Sequence, residues 1–143
     1  MFEIKRFKAE DVIPLIYEPM NAHLRNWYDD GTARKLENDT KAFTGRIDNE
    51  VMACGGVVDM WAGRGYLWFV LSEKIKDHSI SVYRGAKKWL RELNYRRLEM
   101  DVPLDMELAH RRAIMLGFYC ETPYARQYLP SGRDASIYVM VRN

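Results

Sequence analysis

The run Tyr66–Leu71 constrains the fold more than any other part of the sequence, because each of its residues is apolar. A strand without polar residues is typical of the centre of a sheet whose two faces are both covered. No apolar run in the chain approaches the roughly 20 residues that a helix needs to span a bilayer. The run therefore predicts a buried central strand, and we expect no membrane partner.

The hydrophobic pattern around this run changes several times between the period of a strand and that of a helix. A predicted strand over Phe2–Phe7 precedes a helix that opens at Ala9 and a second helical stretch over Met20–Asn38. After the apolar run, Ser72–His78 is polar and predicts a loop. The other predicted elements are a hairpin over 42–58 with its turn at 48–50, helices over 79–93 and 105–116, a strand over 97–102, and a closing hairpin over 119–141.

This order, β-α-α-β-β-β-α-β-α-β-β, predicts an α/β fold in which a mixed sheet of seven strands carries helices on both faces. The strands that flank the two later helices imply parallel or crossover pairing, whereas the two hairpins are antiparallel. A length of 143 residues suits one hydrophobic core, so we expect a single domain over residues 1–143.

The composition limits the possible partners. Hydrophobic residues make up 48% of the chain, charged residues 29%, and the net charge is +2, which argues against disorder and against a nucleic-acid partner. The two cysteines, Cys54 and Cys120, lie outside any CxxC or Cys/His cluster, so we expect no metal. The segment Met1–Lys5 lacks the apolar core of a signal peptide, and we expect the protein in the cytoplasm.

Three local patterns fall at matching places in the order of elements. Ile47–Gly55 forms a turn and the strand after it, Leu67–Ser72 runs from a strand into a loop, and Ala109 precedes Leu116-Gly117-Phe118 at the end of a helix. Together they resemble the GNAT superfamily of acetyl-CoA-dependent N-acetyltransferases over nearly the whole chain. The resemblance implies a GNAT-like fold, acetyl-CoA as the acyl donor and an amine as the acceptor.

A narrower pattern pairs Trp68-Phe69-Val70-x-Ser72 with His110-Arg111 and Gly117. It is similar to the GNAT-like internal virion proteins of short-tailed phages, which act in virion morphogenesis. This resemblance implies a phage-encoded protein, found in the host cytoplasm or in the virion, whose partners are phage structural proteins.

In the GNAT fold the fourth strand splays from the fifth, and the pantetheine arm of acetyl-CoA pairs with the backbone of the fourth strand. The resemblance therefore implies that Phe69, Val70 and Leu71 bind pantetheine. The pyrophosphate lies at the N-terminus of the next helix, where free N–H groups and the helix dipole favour an anion. The pyrophosphate-binding residues that this implies are Lys76, His78, Ser79, Ile80 and Ser81.

That segment departs from the family pattern Arg/Gln-x-x-Gly-x-Gly/Ala. Ile75–Ser81 contains no glycine, and Asp77 within it would repel phosphate. Glycines let the backbone wrap closely around the phosphates, whereas added side chains crowd them. The segment is therefore either a cofactor site that uses side-chain donors or a solvated loop.

The catalytic positions of the family are altered as well. The tyrosine that usually protonates the departing thiolate falls at Ala113, so Tyr119 or Tyr124 from the next strand would have to replace it. Many family members use a glutamate on the fourth or fifth strand as general base, which implies Glu99; the alternative is an exposed strand residue. His110, which lies beside two arginines, is predicted to be part of a solvated helix surface.

Two hypotheses of different classes remain. The first is an enzyme that binds acetyl-CoA and transfers its acetyl group to an amine that the sequence does not identify. The second is a catalytically degenerate GNAT-fold interaction protein that acts in phage virion assembly. The order of elements favours the first hypothesis, and the loss of the glycines and of the tyrosine favours the second.

Overall fold

The structure, a computed structural model, describes residues 1–25 and 30–142. Its strands are β1 Glu3–Arg6, β2 Lys41–Ile47, β3 Glu50–Trp61, β4 Arg64–Leu71, β5 Arg97–Pro103, β6 Tyr119–Ala125 and β7 Ala135–Val141. Its α-helices are α1 Ala9–Ile16, α2 Asp30–Asp39, α3 Ser79–Glu92 and α4 Glu107–Met115, and 3₁₀ helices span Pro19–Leu24 and Glu73–Asp77.

The strands of the described residues form one sheet of seven strands in the order β1-β2-β3-β4-β5-β7-β6. β4 and β5 pair in parallel, whereas β1 with β2, β2 with β3, β5 with β7 and β6 with β7 pair antiparallel. The sheet is therefore mixed. The predicted α/β class and the seven-stranded mixed sheet are confirmed.

Two predicted segments differ from the structure. The predicted helical stretch from Met20 contains a 3₁₀ helix and then α2, and its residues 26–29 lie outside the described residues. The predicted loop Ser72–His78 is wrong, because most of it is a 3₁₀ helix. The hydroxyl of Ser72 caps this helix by accepting the N–H of Lys74 at 3.1 Å, and the buried side chain of Ile75 anchors it.

The chain divides into two compact units. The first consists of Met1–Val58 and Leu67–Lys88, and the second of Asp59–Tyr66 and Trp89–Asn143. That the whole chain folds as one domain stays a prediction.

The first unit contains the antiparallel strands β1 and β2 and the part of β3 up to Val58. Asp48 and Asn49 have φ values of 49° and 68°, the left-handed conformation that a two-residue hairpin turn requires and that aspartate and asparagine tolerate. The predicted hairpin is therefore confirmed.

The core of the first unit combines one face of α1 with alternate residues of β4. The buried residues of this cluster are Phe7, Ala9, Val12, Leu15, Ile16, Ala33, Cys54, Trp68 and Val70.

The second unit contains β5, β6, β7 and α4. Along β5, the buried hydrophobic residues alternate and α4 packs against the strand; these residues are Leu98, Met100 and Val102. The intervening residues point to the opposite face, because side chains alternate along a strand. That face carries Arg97, Glu99 and Asp101, and it is called the polar face of β5 below.

The observed ends of α4 can be compared with the start and the end that the sequence predicts. The helix begins at Glu107, two residues after its predicted start at Asp105. Its predicted end at Gly117 is confirmed: this glycine has a φ of 100°, and its N–H bonds to the carbonyl of Ile114 at 3.0 Å. Glycine adopts this left-handed conformation without the steric cost that a side chain brings.

Candidate functional site

The strand predicted to bind pantetheine is the C-terminal half of β4, in the first unit. Val70 is fully buried in the core, and the ring of Phe69 packs edge-on against that of Phe43 with 5.9 Å between the ring centroids. A Cβ on Gly55 would lie 2.5 Å from the Phe69 ring, so this glycine makes room for it. The side chains fix the strand in the core, and a ligand at this strand would therefore pair with its backbone.

One backbone group at the end of β4 is already paired by a side chain that the sequence did not single out. The buried amide of Asn21, which is 5% exposed, donates to the carbonyls of Leu15 and Leu71, both at 2.9 Å. The N–H of Ser72 bonds to the carbonyl of Met52 on β3, so the Leu71 carbonyl, one residue earlier, points to the other side of β4. Asn21 thus occupies an acceptor on the side of β4 that faces away from β3.

The segment between β4 and α3 is held by contacts within the first unit. The ammonium group of Lys74 pairs with Glu50 on β3, and the N–H of Glu73 donates to Glu18 at 2.8 Å. The hydrogen bond to Glu50 raises the pKa of Lys74. This lysine is therefore already neutralised by a carboxylate.

The N-terminus of α3 places the predicted pyrophosphate-binding residues at the surface. Ser79 is half-buried, and the exposed residues are Lys76, His78, Ile80 and Ser81. The first helical hydrogen bond runs from the N–H of Val82 to the carbonyl of His78 at 3.0 Å, so the N–H groups of residues 79–81 precede the helical ladder. These N–H groups and the helix dipole favour an anion, and the exposed carboxylate of Asp77 opposes it.

In the second unit, Glu99 is held in two ion pairs. Nε of Arg64 on β4 donates to Oε2 of Glu99, and Nε of Arg97 lies 3.2 Å from the same oxygen. The hydrogen bond from Arg64, reinforced by Arg97, lowers the pKa of Glu99. Because Glu99 is only 8% exposed, the alternative prediction of an exposed strand residue is wrong. Its role as general base stays a prediction, although a carboxylate stabilised in its ionised form is a weak proton acceptor.

Both arginines make further contacts that order this region. Arg97 binds Glu121 on β6 through two hydrogen bonds, from Nη1 to Oε2 at 3.0 Å and from Nη2 to Oε1 at 2.5 Å. The guanidinium of Arg64 lies over the ring of Trp61, with its Cζ 4.3 Å from the ring centroid. Planar guanidinium groups suit both the two-point pairing and the stacking. Glu99 therefore belongs to a network of charges that the fold itself balances.

Tyr119, the predicted proton donor, shares a face of the sheet with Glu99. Glu99 is opposite Val139 on β7, and Val139 is opposite Tyr119 on β6, which is an edge strand. Opposite residues of antiparallel strands point to the same face, and two strand spacings separate the two Cα atoms by roughly 10 Å. Tyr119 is 53% exposed. The register thus brings both predicted catalytic residues to one face, with a buried valine between them.

Asp101 lies on the same polar face and was not predicted as a site residue. Tyr66 Oη, on β4, donates to Asp101 Oδ2 at 2.6 Å. Burial raises the pKa of Asp101, and the hydrogen bond from Tyr66 opposes this rise. Burial and the nearby charge of Asp101 raise the pKa of Tyr128, in the turn after β6. A signal was present in the sequence, because the alternation that places Glu99 on one face places Asp101 there too.

His110 is fixed within the second unit by both of its ring nitrogens. Nε2 lies 3.1 Å from the carbonyl oxygen of Pro103 and 3.0 Å from that of Leu104, so this nitrogen carries a proton. Nδ1 lies 2.8 Å from Tyr138 Oη and, in the neutral imidazole, accepts a hydrogen bond from that hydroxyl. The prediction of a solvated surface histidine is therefore wrong. Its partners are distant in sequence, and the helical pattern alone did not indicate them.

The residue at the position of the family's proton-donating tyrosine, Ala113, has no group that can donate a proton. Ala113 is 1% exposed, so its methyl group is packed in the interior of the second unit. Tyr124, the other predicted substitute, donates to Asp134 at 2.9 Å, and this hydrogen bond raises the pKa of Tyr124. Tyr119 is therefore the remaining candidate donor, and the strand register places it on the same face as Glu99.

Within residues 1–25 and 30–142, no group of three or more His, Cys, Asp or Glu side chains could hold a metal ion. Burial raises the pKa of the Cys54 thiol to about 12, so it stays protonated and unreactive. No helix in the same part of the chain is long and apolar enough to cross a membrane.

The chain matches no protein-family model and no curated protein sequence. Its fold is that of solved acetyltransferases. An N-acetyltransferase from Staphylococcus aureus Mu50 superposes with a TM-score of 0.79 at 14% identity, over 99% of this chain and 97% of that chain. The ribosomal-protein-S18-alanine N-acetyltransferase of Escherichia coli gives 0.72 at 17% identity, over 99% and 94%, and a GNAT-family acetyltransferase of Bacillus anthracis gives 0.69 at 14%, over 98% and 94%. At these identities the similarity establishes the GNAT fold alone.

Proposed function

We propose that this GNAT-fold protein is an N-acyltransferase that moves an acetyl group from acetyl-CoA to an amine. The observation that carries the proposal is the fold, shared over 98% to 99% of the chain with proteins named acetyltransferases. Within the first unit, β4 leads through one short 3₁₀ helix to the exposed N-terminus of α3. This is the sequence of elements that the resemblance requires for a pantetheine strand followed by a pyrophosphate-binding helix end.

The residues at the predicted cofactor site fit acetyl-CoA although the family's glycines are absent. The N–H groups of residues 79–81, with the side chains of Lys76 and His78, supply donors for the pyrophosphate. Because Asn21 occupies the Leu71 carbonyl, the pantetheine arm would pair with the backbone of Phe69 and the N–H of Leu71. Ile80 and Ser81 replace the family's glycines, so we expect weaker binding than a glycine-rich loop would give.

The chemistry then rests on this chain's own side chains. Acetyl-CoA supplies an activated thioester, and the acceptor must lose a proton before its nitrogen attacks. In the proposal, Tyr119 donates a proton to the leaving thiolate, and its exposure on the edge strand leaves its hydroxyl accessible. Glu99 stays the predicted base, with its two ion pairs as an argument against that role.

Calorimetric titration of the full chain with acetyl-CoA tests the proposal directly. We expect saturable binding and a rise in Tm, because a ligand that binds only the folded state stabilises it. ATP, which has phosphates but no pantetheine arm, is the control for general anion binding. Release of free thiol with a panel of primary amines then measures transfer. Absence of both heat and thermal shift at millimolar acetyl-CoA would reject the proposal.

A second function is favoured by the buried Ala113 and by Asp77 at the N-terminus of α3. A chain that lacks the family's proton donor and carries a carboxylate at the predicted phosphate site fits a GNAT-fold protein that acts by binding other proteins. The resemblance to internal virion proteins of phages would make those partners phage structural proteins, in the host cytoplasm or in the virion. Acetyl transfer by the purified chain would reject this alternative, and a chain that binds no acetyl-CoA would favour it.

A further inference from the structure

The two carboxylates on the polar face of β5 differ in their partners. Glu99 is balanced by Arg64 and Arg97. Asp101, two residues later, accepts a hydrogen bond from the neutral hydroxyl of Tyr66, and no cation among the described residues forms an ion pair with it. One carboxylate is therefore part of a balanced network, and the other is half-buried with no counter-charge in the described part of the chain.

The groups around Asp101 can be named from each neighbouring element. Tyr66 approaches from β4 and Tyr128 from the turn after β6, where it lies within range of the charge on Asp101. The partner on β7 is the apolar Ile137. The charged neighbours are Glu99 on β5 and Arg64 on β4, which pair with each other. A half-buried carboxylate that is not paired with a cation favours a positively charged ligand, since carboxylates form strong hydrogen bonds with ammonium groups.

We propose that Asp101 binds the ammonium group of the acceptor and removes its proton. The inference rests on the proposed function, assigns the role of base to Asp101 instead of Glu99, and names the substrate class, a primary amine that arrives as an ammonium ion. The raised pKa supports this role, because a base whose pKa lies closer to the working pH accepts a proton more readily.

The step transfers two protons from the nitrogen and exchanges one C–S bond for one C–N bond. The ammonium gives one proton to the Asp101 carboxylate, and the freed lone pair of the nitrogen attacks the thioester carbonyl carbon. The C–S bond then breaks, and the thiolate leaves with the bonding electron pair. It takes up the second proton of the nitrogen, by way of Tyr119 in the proposed function. Tyr66, which donates to the ionised carboxylate, is a positioning residue that tunes the base.

The test compares pH profiles of kcat/KM for wild type, Asp101→Asn and Glu99→Gln, with acetyl-CoA and either n-butylamine or spermidine. Asp101→Asn should lower kcat/KM for the amine by about 10²-fold or more and remove the acidic limb of the profile. Its Kd for acetyl-CoA should not change. Asparagine still accepts the Tyr66 hydrogen bond, so the variant should fold, which its Tm checks. Glu99→Gln should keep the acidic limb.

A pair of matched variants separates an effect on the pKa of Asp101 from a general effect of losing a tyrosine hydroxyl. Tyr66→Phe removes the hydrogen bond that favours ionised Asp101, so the acidic limb should move to higher pH. Tyr124→Phe removes a similar hydrogen bond, to Asp134, and should leave the limb in place. An acidic limb that persists in Asp101→Asn, or that does not move in Tyr66→Phe, would overturn the inference.

A readout without turnover distinguishes this inference from the proposed function. In the ¹³C spectrum of carboxylate-labelled protein, n-butylammonium should shift the Asp101 resonance and leave that of Glu99 unchanged. If the wild type transfers acetyl groups and Asp101→Asn transfers them equally well, the inference fails and the proposed function holds. If the wild type neither binds acetyl-CoA nor transfers acetyl while the Asp101 resonance still shifts, the enzyme proposal fails and the ammonium site remains. Absence of that shift contradicts the ammonium site itself.

Discussion

The ring of Phe2 occupies the space that a side chain on Gly85 would need. A Cβ on Gly85, in α3, would lie 2.3 Å from Cδ2 of Phe2. A Cβ on Gly45, in β2, would lie 2.1 Å from Cζ of the same ring. The ring therefore packs between a strand glycine and a helix glycine, at a place where neither position has room for a side chain. This contact connects the N-terminal segment with β2 and α3 inside the first unit.

A double-mutant cycle tests this contact. Gly85→Ala should destabilise the protein by about 1–3 kcal/mol, because the new methyl group displaces the ring. In a Phe2→Ala background the same change should stabilise it by about 0.5–1 kcal/mol, because alanine suits a helix interior better than glycine. Urea denaturation of all four proteins gives the coupling energy. Equal effects of Gly85→Ala in both backgrounds would contradict the packing described here.

The sequence predicts the elements that have a clear hydrophobic period and misses those that long-range contacts create. The apolar run Tyr66–Leu71 is predicted because a strand covered on both faces of the sheet is apolar throughout. The strand over 97–102 is predicted because hydrophobic residues alternate along a strand that packs on one face. The 3₁₀ helix Glu73–Asp77 depends on the burial of Ile75, and its polar composition is that of a loop. The place of Phe2 between two glycines is likewise set by packing partners that are distant in sequence.

The sequence predicts that two carboxylates of the candidate site share one face of β5, but it does not predict which of them is neutralised. Alternation along β5 places Glu99 and Asp101 on one face, and the family resemblance selects Glu99. Which carboxylate is neutralised depends on the parallel register, in which Tyr66 is the partner of Glu99. From this register the side chain of Arg64 reaches Glu99, and that of Tyr66 reaches Asp101. A single sequence does not contain that register, so the contrast between the two acids required the structure.

Glu99 and Asp101 should have opposite effects on the pH dependence of stability. The pKa of Glu99 is lowered by Arg64, so its stabilising contribution is present above its ordinary pKa, about 4.3, and is lost as pH falls through the lowered value. The pKa of Asp101 is raised by burial, so its contribution is present below its ordinary pKa, about 3.9, and is lost as pH rises through the raised value.

Denaturant unfolding at a series of pH values from about 3 to 7 measures this difference. The free energy of unfolding of wild type minus that of Glu99→Gln should increase with pH. Wild type minus Asp101→Asn should decrease with pH. Slopes of the same sign for the two variants would contradict the assignment of their surroundings.

A negative charge at the N-terminus of α3 should weaken the capture of acetyl-CoA. Ser81→Asp places a carboxylate beside the N–H groups proposed to bind pyrophosphate, and repulsion of at least about 1 kcal/mol corresponds to a roughly fivefold increase in Kd. The same change favours the helix dipole, so stability should not fall. Ser131→Asp, at an exposed turn of the second unit, is the matched control and should bind acetyl-CoA as wild type does. Equal Kd values for Ser81→Asp and wild type would remove α3 from the proposed site.

Tyr119→Phe tests the proposed proton donor. Tyr119 is 53% exposed on β6, so loss of its hydroxyl should leave stability within about 0.5 kcal/mol of wild type. If the hydroxyl protonates the leaving thiolate, kcat should fall by about 10²-fold while the KM for acetyl-CoA stays the same, because the interaction is made only as the C–S bond breaks. Tyr124→Phe is matched in residue type and in exposure, at 56%, and should keep its kcat. A kcat for Tyr119→Phe equal to that of Tyr124→Phe would mean that the thiolate leaves without a proton from this strand.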